Sequence, residues 1–193
     1  MDCCSGFFTQ LVGGLELKFH TTKKVFSPKF VDRGTLLMLE AAETDAGDII
    51  LDLGCGYGAV GVYYAKLFSP ENVVMSDVCP HAVFLAKKNA LANGVGGVAV
   101  HQSDGFAGLG MAGFSRIFCN PPYHADFAVP KHFIEKGFNR LSIGGELHMV
   151  TRREKWYRRK LAAIFGGVRV ISGDGYYVFQ AQKRSAAYAG RGK

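Results

Sequence analysis

Ile49-Ile50-Leu51-Asp52-Leu53-Gly54-Cys55-Gly56-Tyr57-Gly58 runs from a short apolar stretch straight into a glycine-rich turn. A run of that length suits a strand buried on both faces. Apolar residues then recur at helical spacing from Ala59 to Phe68. Glycines let a backbone turn tightly and approach a ligand with no Cβ in the way. Strand, glycine turn and helix in that order form the usual cradle for a nucleoside-bearing ligand in an open α/β sheet.

Working outward, the same alternation continues. Strands are expected at Val73–Asp77, Val98–Gln102, Arg116–Asn120 and Glu146–Thr151, with helices over Ala82–Asn93 and Pro130–Leu141 between them. Gly94 and Gly144-Gly145 fall where helix stops are expected. A further helix over Lys155–Phe165 precedes Val168–Ser172 and Tyr176–Gln182, which flank Gly173-Asp174-Gly175 and read as an antiparallel hairpin. The fold class is therefore α/β: a Rossmann-like, seven-stranded, mostly parallel sheet ending in that hairpin, with helices on both faces. Before it, Leu15–Phe19 alternates like a strand, Val25-Phe26 is a candidate partner for it, and Thr35–Ala42 reads as a helix. The expected division is an extension over residues 1–45 packed on the core, a main domain over 46–185 and a flexible tail over 186–193.

Two carboxylates extend the ligand signal. Asp77 ends the next strand, 19 residues after Gly58, where it can accept both hydroxyls of a ribose. Asp104 lies just past the third strand and can border an adenine pocket. Gly56-x-Gly58-x-x-Gly61 also fits the dinucleotide fingerprint, which would make the ligand NAD and the protein an oxidoreductase. Against this, the glycine turn already begins at Gly54, leaving Gly61 inside the helix as a packing residue.

Asn120-Pro121-Pro122-Tyr123 follows the fourth strand. Two prolines cannot continue a helix or occupy a central strand, and the residue before a proline is held extended. Asn120 thus sits at a strand tip, on the edge where such sheets bind ligands. An amide, a rigid carbonyl and an aromatic face together can hold a planar group carrying NH2. The plainer alternative is a structural terminator, and a nicotinamide enzyme gives no reason for the motif.

Mean hydropathy of +0.08 and 48% hydrophobic residues exclude a disordered chain. No apolar run approaches the roughly 20 residues needed to span a bilayer. The start lacks the pattern of a signal peptide. The five cysteines, including adjacent Cys3 and Cys4, show no metal-ligand spacing, and reduced thiols in a cytoplasmic protein are expected, with no metal and no membrane association. Charge is uneven: from Lys131 onward 14 Lys and Arg face 4 Asp and Glu, a balance of +10, leaving −3 of the total +7 for the first 130 residues. Arg152-Arg153-Glu154-Lys155-Trp156-Tyr157-Arg158-Arg159-Lys160 concentrates it beside the fifth strand, where basic and aromatic residues suit a phosphate backbone. The bland reading is an amphipathic helix with a solvated basic face and Trp156 packed inward.

Taken together, Asp-x-Gly-x-Gly-x-Gly, the acidic strand end, Asn-Pro-Pro-Tyr and the terminal hairpin resemble the class I S-adenosylmethionine-dependent methyltransferases. More narrowly, the chain is similar to the small-domain methyltransferases related to ribosomal RNA guanine-N2 enzymes. That resemblance runs from about Leu15 to Lys183 and includes Lys24-Val25-Phe26-Ser27, Asp32-x-Gly34-Thr35 and Gly144-Gly145-Glu146-Leu147. It implies a stand-alone catalytic half, S-adenosyl-L-methionine as cofactor, and RNA as partner, ribosomal before transfer. Cofactor contacts are implied for Phe26, Asp52, Gly54, Cys55, Gly56, Gly58, Asp77, Asp104 and Asn120. Catalysis is implied for Asn120, Pro121, Pro122 and Tyr123, and substrate contacts for His124, Arg152, Arg153 and Lys155. Tyr123 in place of the Phe or Ile common in those relatives keeps adenine-N6 and protein glutamine-N5 methylation open as alternatives, as is a cofactor-binding module without catalysis. Cys119 is expected to be a buried small hydrophobe, and Cys55 to offer only its backbone.

Overall fold

The computed structural model describes residues 6–121 and 127–191, so Pro122, Tyr123 and His124, like Cys3 and Cys4, lie outside the described residues. A hairpin of β1 (Gly6–Val12) and β2 (Leu15–Thr21) comes first, then α1 (Arg33–Ala41). The sheet strands follow as β3 (Ile50–Leu53), β4 (Val73–Asp77), β5 (Ala99–Gln102), β6 (Phe114–Cys119), β7 (Leu141–Thr151), β8 (Arg169–Gly173) and β9 (Tyr176–Gln182). Interleaved helices are α2 (Ala59–Leu67), α3 (Pro80–Ala92), α4 (Ala128–Arg140) and α5 (Glu154–Phe165).

The seven strands lie in the order β5-β4-β3-β6-β7-β9-β8. The first five are parallel, while β9 is antiparallel to both β7 and β8. Strand order reverses between β3 and β6, and ligands of such sheets bind at that reversal, beyond the carboxyl ends of the strands. The final turn is Asp174-Gly175, with φ of 51° and 76°; two positive values suit the tight hairpin that matches strand twist.

Period-two alternation feeds two cores. Ile50, Met75, Phe118 and Val150 face one side, under α1, α2 and α3, and Leu51, Val74, Ile117 and Met149 face the other, under α4 and α5. Each such side chain, fully buried, contributes about 1.5–3 kcal/mol. Gly61 is the packing residue expected: a Cβ there would meet Met75 Cγ at 2.3 Å, so α2 lies against β4 closer than alanine permits. The hairpin docks on α3 through two asparagines one turn apart. Asn89 and Asn93 accept from the His20 and Lys18 N–H groups and donate back to the carbonyls of the same residues, satisfying the β2 edge.

Three expectations change. β2 pairs with β1, not with Val25-Phe26, which lie in a loop of turns and bends. Gly144-Gly145 is no helix stop: α4 ends at Arg140 and both glycines lie within β7. There the β6–β7 register shifts between Phe114 and Arg116, Gly144 takes φ 87°, and a Cβ on Gly145 would meet the Phe114 carbonyl at 2.8 Å. The glycines thus form a bulge, a feature that a helix-stop rule mistakes because it demands the same residue. Lastly, part of the expected 186–193 tail is packed among the described residues: Tyr188 lies edge-on against Phe138 and donates to the Glu135 carbonyl at 3.0 Å. Among the described residues no helix is long and apolar enough to cross a membrane.

Candidate functional site

Strand register assembles the site. Leu53 pairs with Ser76 on one side and Cys119 on the other, and Asp77 pairs with Gln102. The next residues, Gly54, Asp77, Ser103-Asp104 and Asn120, therefore emerge along one edge of the sheet. They border a cavity of about 420 Å³, lined by Phe26, Asp52, Gly54, Cys55, Gly56, Asp77, Asp104, Asn120 and Pro121 among others. That size accommodates a nucleoside-bearing ligand.

The glycine turn is held by the neighbouring strand. Gly54 and Cys55 donate their N–H groups to the Ser76 carbonyl at 2.8 and 2.9 Å, and Gly56 N–H donates to Asp77 Oδ2 at 2.9 Å. Gly54 and Gly56 adopt φ of 72° and 55°, and a Cβ on either would meet nothing within 4 Å, so open space lies over both. Gly58 is different: it does not line the cavity but caps α2 with φ 89°, and a Cβ there would touch Met75 and Ala86. Asp77 Oδ1 accepts from Cys79 N–H at 2.9 Å. A carboxylate offers about four acceptor sites, so two backbone bonds leave capacity for hydroxyls.

Asp52 is buried and accepts from Gly61 N–H at 2.9 Å. Burial pushes its carboxyl up to about 7, the Gly61 N–H opposes the shift, and the Asp77 charge adds to it. Below its ordinary 3.8 the carboxyl is neutral in both folded and unfolded chains. Between there and about 7 only the folded chain holds the proton, so this contribution to stability is lost as pH rises through that window. In urea titrations Asp52→Asn should remove that fall; an unchanged slope between pH 4 and 7 would contradict it. Burial raises the Cys55 and Cys119 thiols well above their ordinary range, which makes both poor nucleophiles at neutral pH.

Asn120 has the most telling surroundings. Its Nδ2 donates to Asp32 Oδ2 at 3.1 Å and Thr35 Oγ1 at 2.9 Å. Both amide protons are thereby taken, and the buried Oδ1 has no hydrogen-bond partner among the described residues. A buried, unsatisfied oxygen costs about 1–3 kcal/mol and calls for an explanation. An incoming N–H donor in the cavity supplies one.

The basic segment splits. Arg152, Arg153 and Lys155 are exposed, outside the cavity lining. Arg152 donates to the Tyr176 hydroxyl at 2.9 Å, and Arg153 lies 5.2 Å from the centre of the Phe127 ring. Tyr157 is buried and Trp156 stacks on Phe127 at 4.5 Å, so the aromatic residues turn inward, as in the bland reading. Further on, Arg158 pairs with Glu154 and Lys160 with Glu135. Asp32, Thr35 and Tyr176 join the site only in the fold: the Asp32-x-Gly34-Thr35 pattern is the one sequence sign of the first two, and Tyr176, 144 positions from Asp32, carries none.

A reversed α/β sheet with a glycine cradle, an acidic second strand and an asparagine-proline strand tip defines a class I methyltransferase. The methyltransferase small domain model matches residues 16–180, and the chain belongs to that family. It is 36% identical over 176 residues to the Bacillus subtilis protein YbxB, covering 87% of each chain. It is 32% identical over 166 residues to ribosomal RNA small subunit methyltransferase C of Pseudoalteromonas atlantica, covering 83% of this chain and 48% of that one. The solved structure "T. Thermophilus 16S rRNA N2 G1207 methyltransferase (RsmC) in complex with AdoMet and Guanosine" superimposes with a TM-score of 0.80 at 29% identity, over 93% of this chain and 50% of that one. The chain thus spans about half the length of the named ribosomal RNA methyltransferases it matches.

Proposed function

We propose that the protein transfers a methyl group from S-adenosylmethionine to an exocyclic amine of a nucleobase in RNA, guanine N2 of ribosomal RNA in particular. The carrying observation is Asn120, whose donors are consumed by Asp32 and Thr35 while its oxygen lacks a partner. The cofactor is S-adenosylmethionine, and the residues present fit it: open space over Gly54 and Gly56, the Asp77 carboxylate beside them, and Asp104 in the cavity lining. When bound, it supplies an electrophilic methyl group on a sulfonium.

The protein's own part is binding and orientation. An aromatic amine is a poor nucleophile because its lone pair is delocalised into the ring. Asn120 Oδ1 and the Pro121 carbonyl, accepting its two N–H bonds, favour a pyramidal nitrogen with its lone pair directed outward. Acceptors already fixed by folding stabilise the charge that develops on that nitrogen without reorganising. In the sequence Pro122 and Tyr123 complete the motif, and on this reading Tyr123 has a stacking role on the base and His124 a substrate contact. Phe26, half exposed at the mouth, closes over the cofactor, and Arg152, Arg153 and Lys155 meet the phosphate backbone.

The RNA reading is supported by the +10 balance from Lys131 onward and by relatives named as ribosomal RNA methyltransferases; the guanine reading by the RsmC structure, solved with guanosine. A protein glutamine amide is the rival acceptor. Incubating the enzyme with methyl-tritiated S-adenosylmethionine and ribosomal subunits lacking native methylation separates them. Label should be released by ribonuclease and resist protease; the opposite pattern would refute an RNA substrate.

A further inference from the structure

Asn120 is only the last link of a chain of contacts that runs inward from the surface residue Arg152. Asp32 Oδ2 receives its amide, and Asp32 Oδ1 accepts the Tyr176 hydroxyl at 2.8 Å. The Tyr176 oxygen in turn accepts from Arg152 at 2.9 Å, and the Arg152 guanidinium lies 4.6 Å from the centre of the Tyr176 ring. Topology brings these together: β6 and β7 end, and β9 begins, on the same edge of the sheet, with Thr151 opposite Tyr177. The loop before α1 then lays Asp32 across that edge.

Capping alone does not account for Asp32. One oxygen, Oδ2, suffices to accept Thr35 N–H at 3.2 Å, yet Oδ1 is also engaged, by a residue of the last strand. Gly34 is a second, independent sign. A Cβ there would stand 2.4 Å from Tyr176 Cδ1, so the first turn of α1 carries a poor helix former where the ring passes. Electrostatics then sets the orientation of the asparagine. Turned the other way, its amide oxygen would face a carboxylate and its NH2 would take the place of the unpartnered Oδ1 as a donor, the wrong sense for holding an amine.

We propose that Asp32 and Tyr176 are positioning residues that fix the Asn120 amide with Oδ1 toward the substrate nitrogen, Tyr176 holding Asp32 and Arg152 holding Tyr176. This rests on the reading of Asn120 as the acceptor for that nitrogen.

Tyr176→Phe keeps the ring against Gly34 and deletes only the hydroxyl. Asp32→Asn keeps a side chain that caps helices well but removes the charge facing Asn120. With 16S and 23S ribosomal RNA transcripts as substrates, both variants should lose about 10- to 100-fold in kcat, the scale of a misplaced catalytic group. KM for RNA, calorimetric affinity for S-adenosylmethionine and the unfolding midpoint should stay near wild type. In protein labelled with 15N-asparagine, the Asn120 side-chain resonances should shift or broaden in both variants before any substrate is added. An inactive Asn120→Ala beside a fully active Tyr176→Phe would overturn the positioning role alone. A fully active Asn120→Ala would overturn the reading beneath it. Parallel losses of cofactor affinity and stability in both variants would assign Asp32 and Tyr176 a purely structural role and also overturn it.

Discussion

Asn120→Ala should lower kcat for RNA methylation about 100- to 1,000-fold, the scale measured when one preorganised transition-state partner is removed. Oδ1 and Nδ2 share the side chain, but their work differs. Nδ2 anchors the group to Asp32 and Thr35, while Oδ1 is left for the reacting amine. Truncation removes both, yet the fold should tolerate it, because Asp32 keeps its bonds to Thr35 N–H and the Tyr176 hydroxyl. Affinity for S-adenosylmethionine should change by less than about tenfold, or 1.4 kcal/mol, since the glycine turn and Asp77 remain. Steady-state kinetics beside a calorimetric titration separates the two quantities. An undiminished product level would mean that the chain binds its cofactor for some purpose other than this transfer.

Asp77→Ala should show the reverse pattern, weakening S-adenosylmethionine binding about 100-fold while leaving kcat at saturation within a few-fold of wild type. Its carboxylate fixes Gly56 N–H and Cys79 N–H, so the loss both relaxes the cradle and removes the acceptor for sugar hydroxyls. Charge-assisted bonds of this kind are roughly twice as strong as neutral ones. Asp77→Asn, which keeps one acceptor oxygen, should fall between the two. The same titration with NAD should give no binding; NAD binding tighter than S-adenosylmethionine would restore the oxidoreductase reading that the Gly56-x-Gly58-x-x-Gly61 spacing allows.

Where local chemistry dictates structure, the sequence was easily read. The apolar run before Gly54, the Asp174-Gly175 turn and the Pro121-Pro122 pair each admit few backbones, so strand, hairpin and strand tip were placed within a residue or two. Glycine was ambiguous because the conformation says nothing of its surroundings. Gly94 follows α3 as expected, whereas Gly144 has a similar φ inside a strand bulge. Likewise Gly58, in the same motif as Gly54 and Gly56, has Met75 and Ala86 where a Cβ would stand, whereas those two have open space. The basic segment was legible as charge but not as orientation, since only packing shows Trp156 stacked on Phe127 and Tyr157 buried. Least legible was the support of Asn120. Hydrogen bonds over 85, 88 and 144 positions depend on which strand ends share an edge, and no local pattern encodes that.

The most direct test of the account is nucleoside mass spectrometry of ribosomal RNA methylated in vitro by the wild-type protein and by Asn120→Ala. N2-methylguanosine should accumulate with the wild type and form at least about 100-fold more slowly with the variant. Accumulation of N6-methyladenosine instead, or of no methylated nucleoside at all, would contradict it.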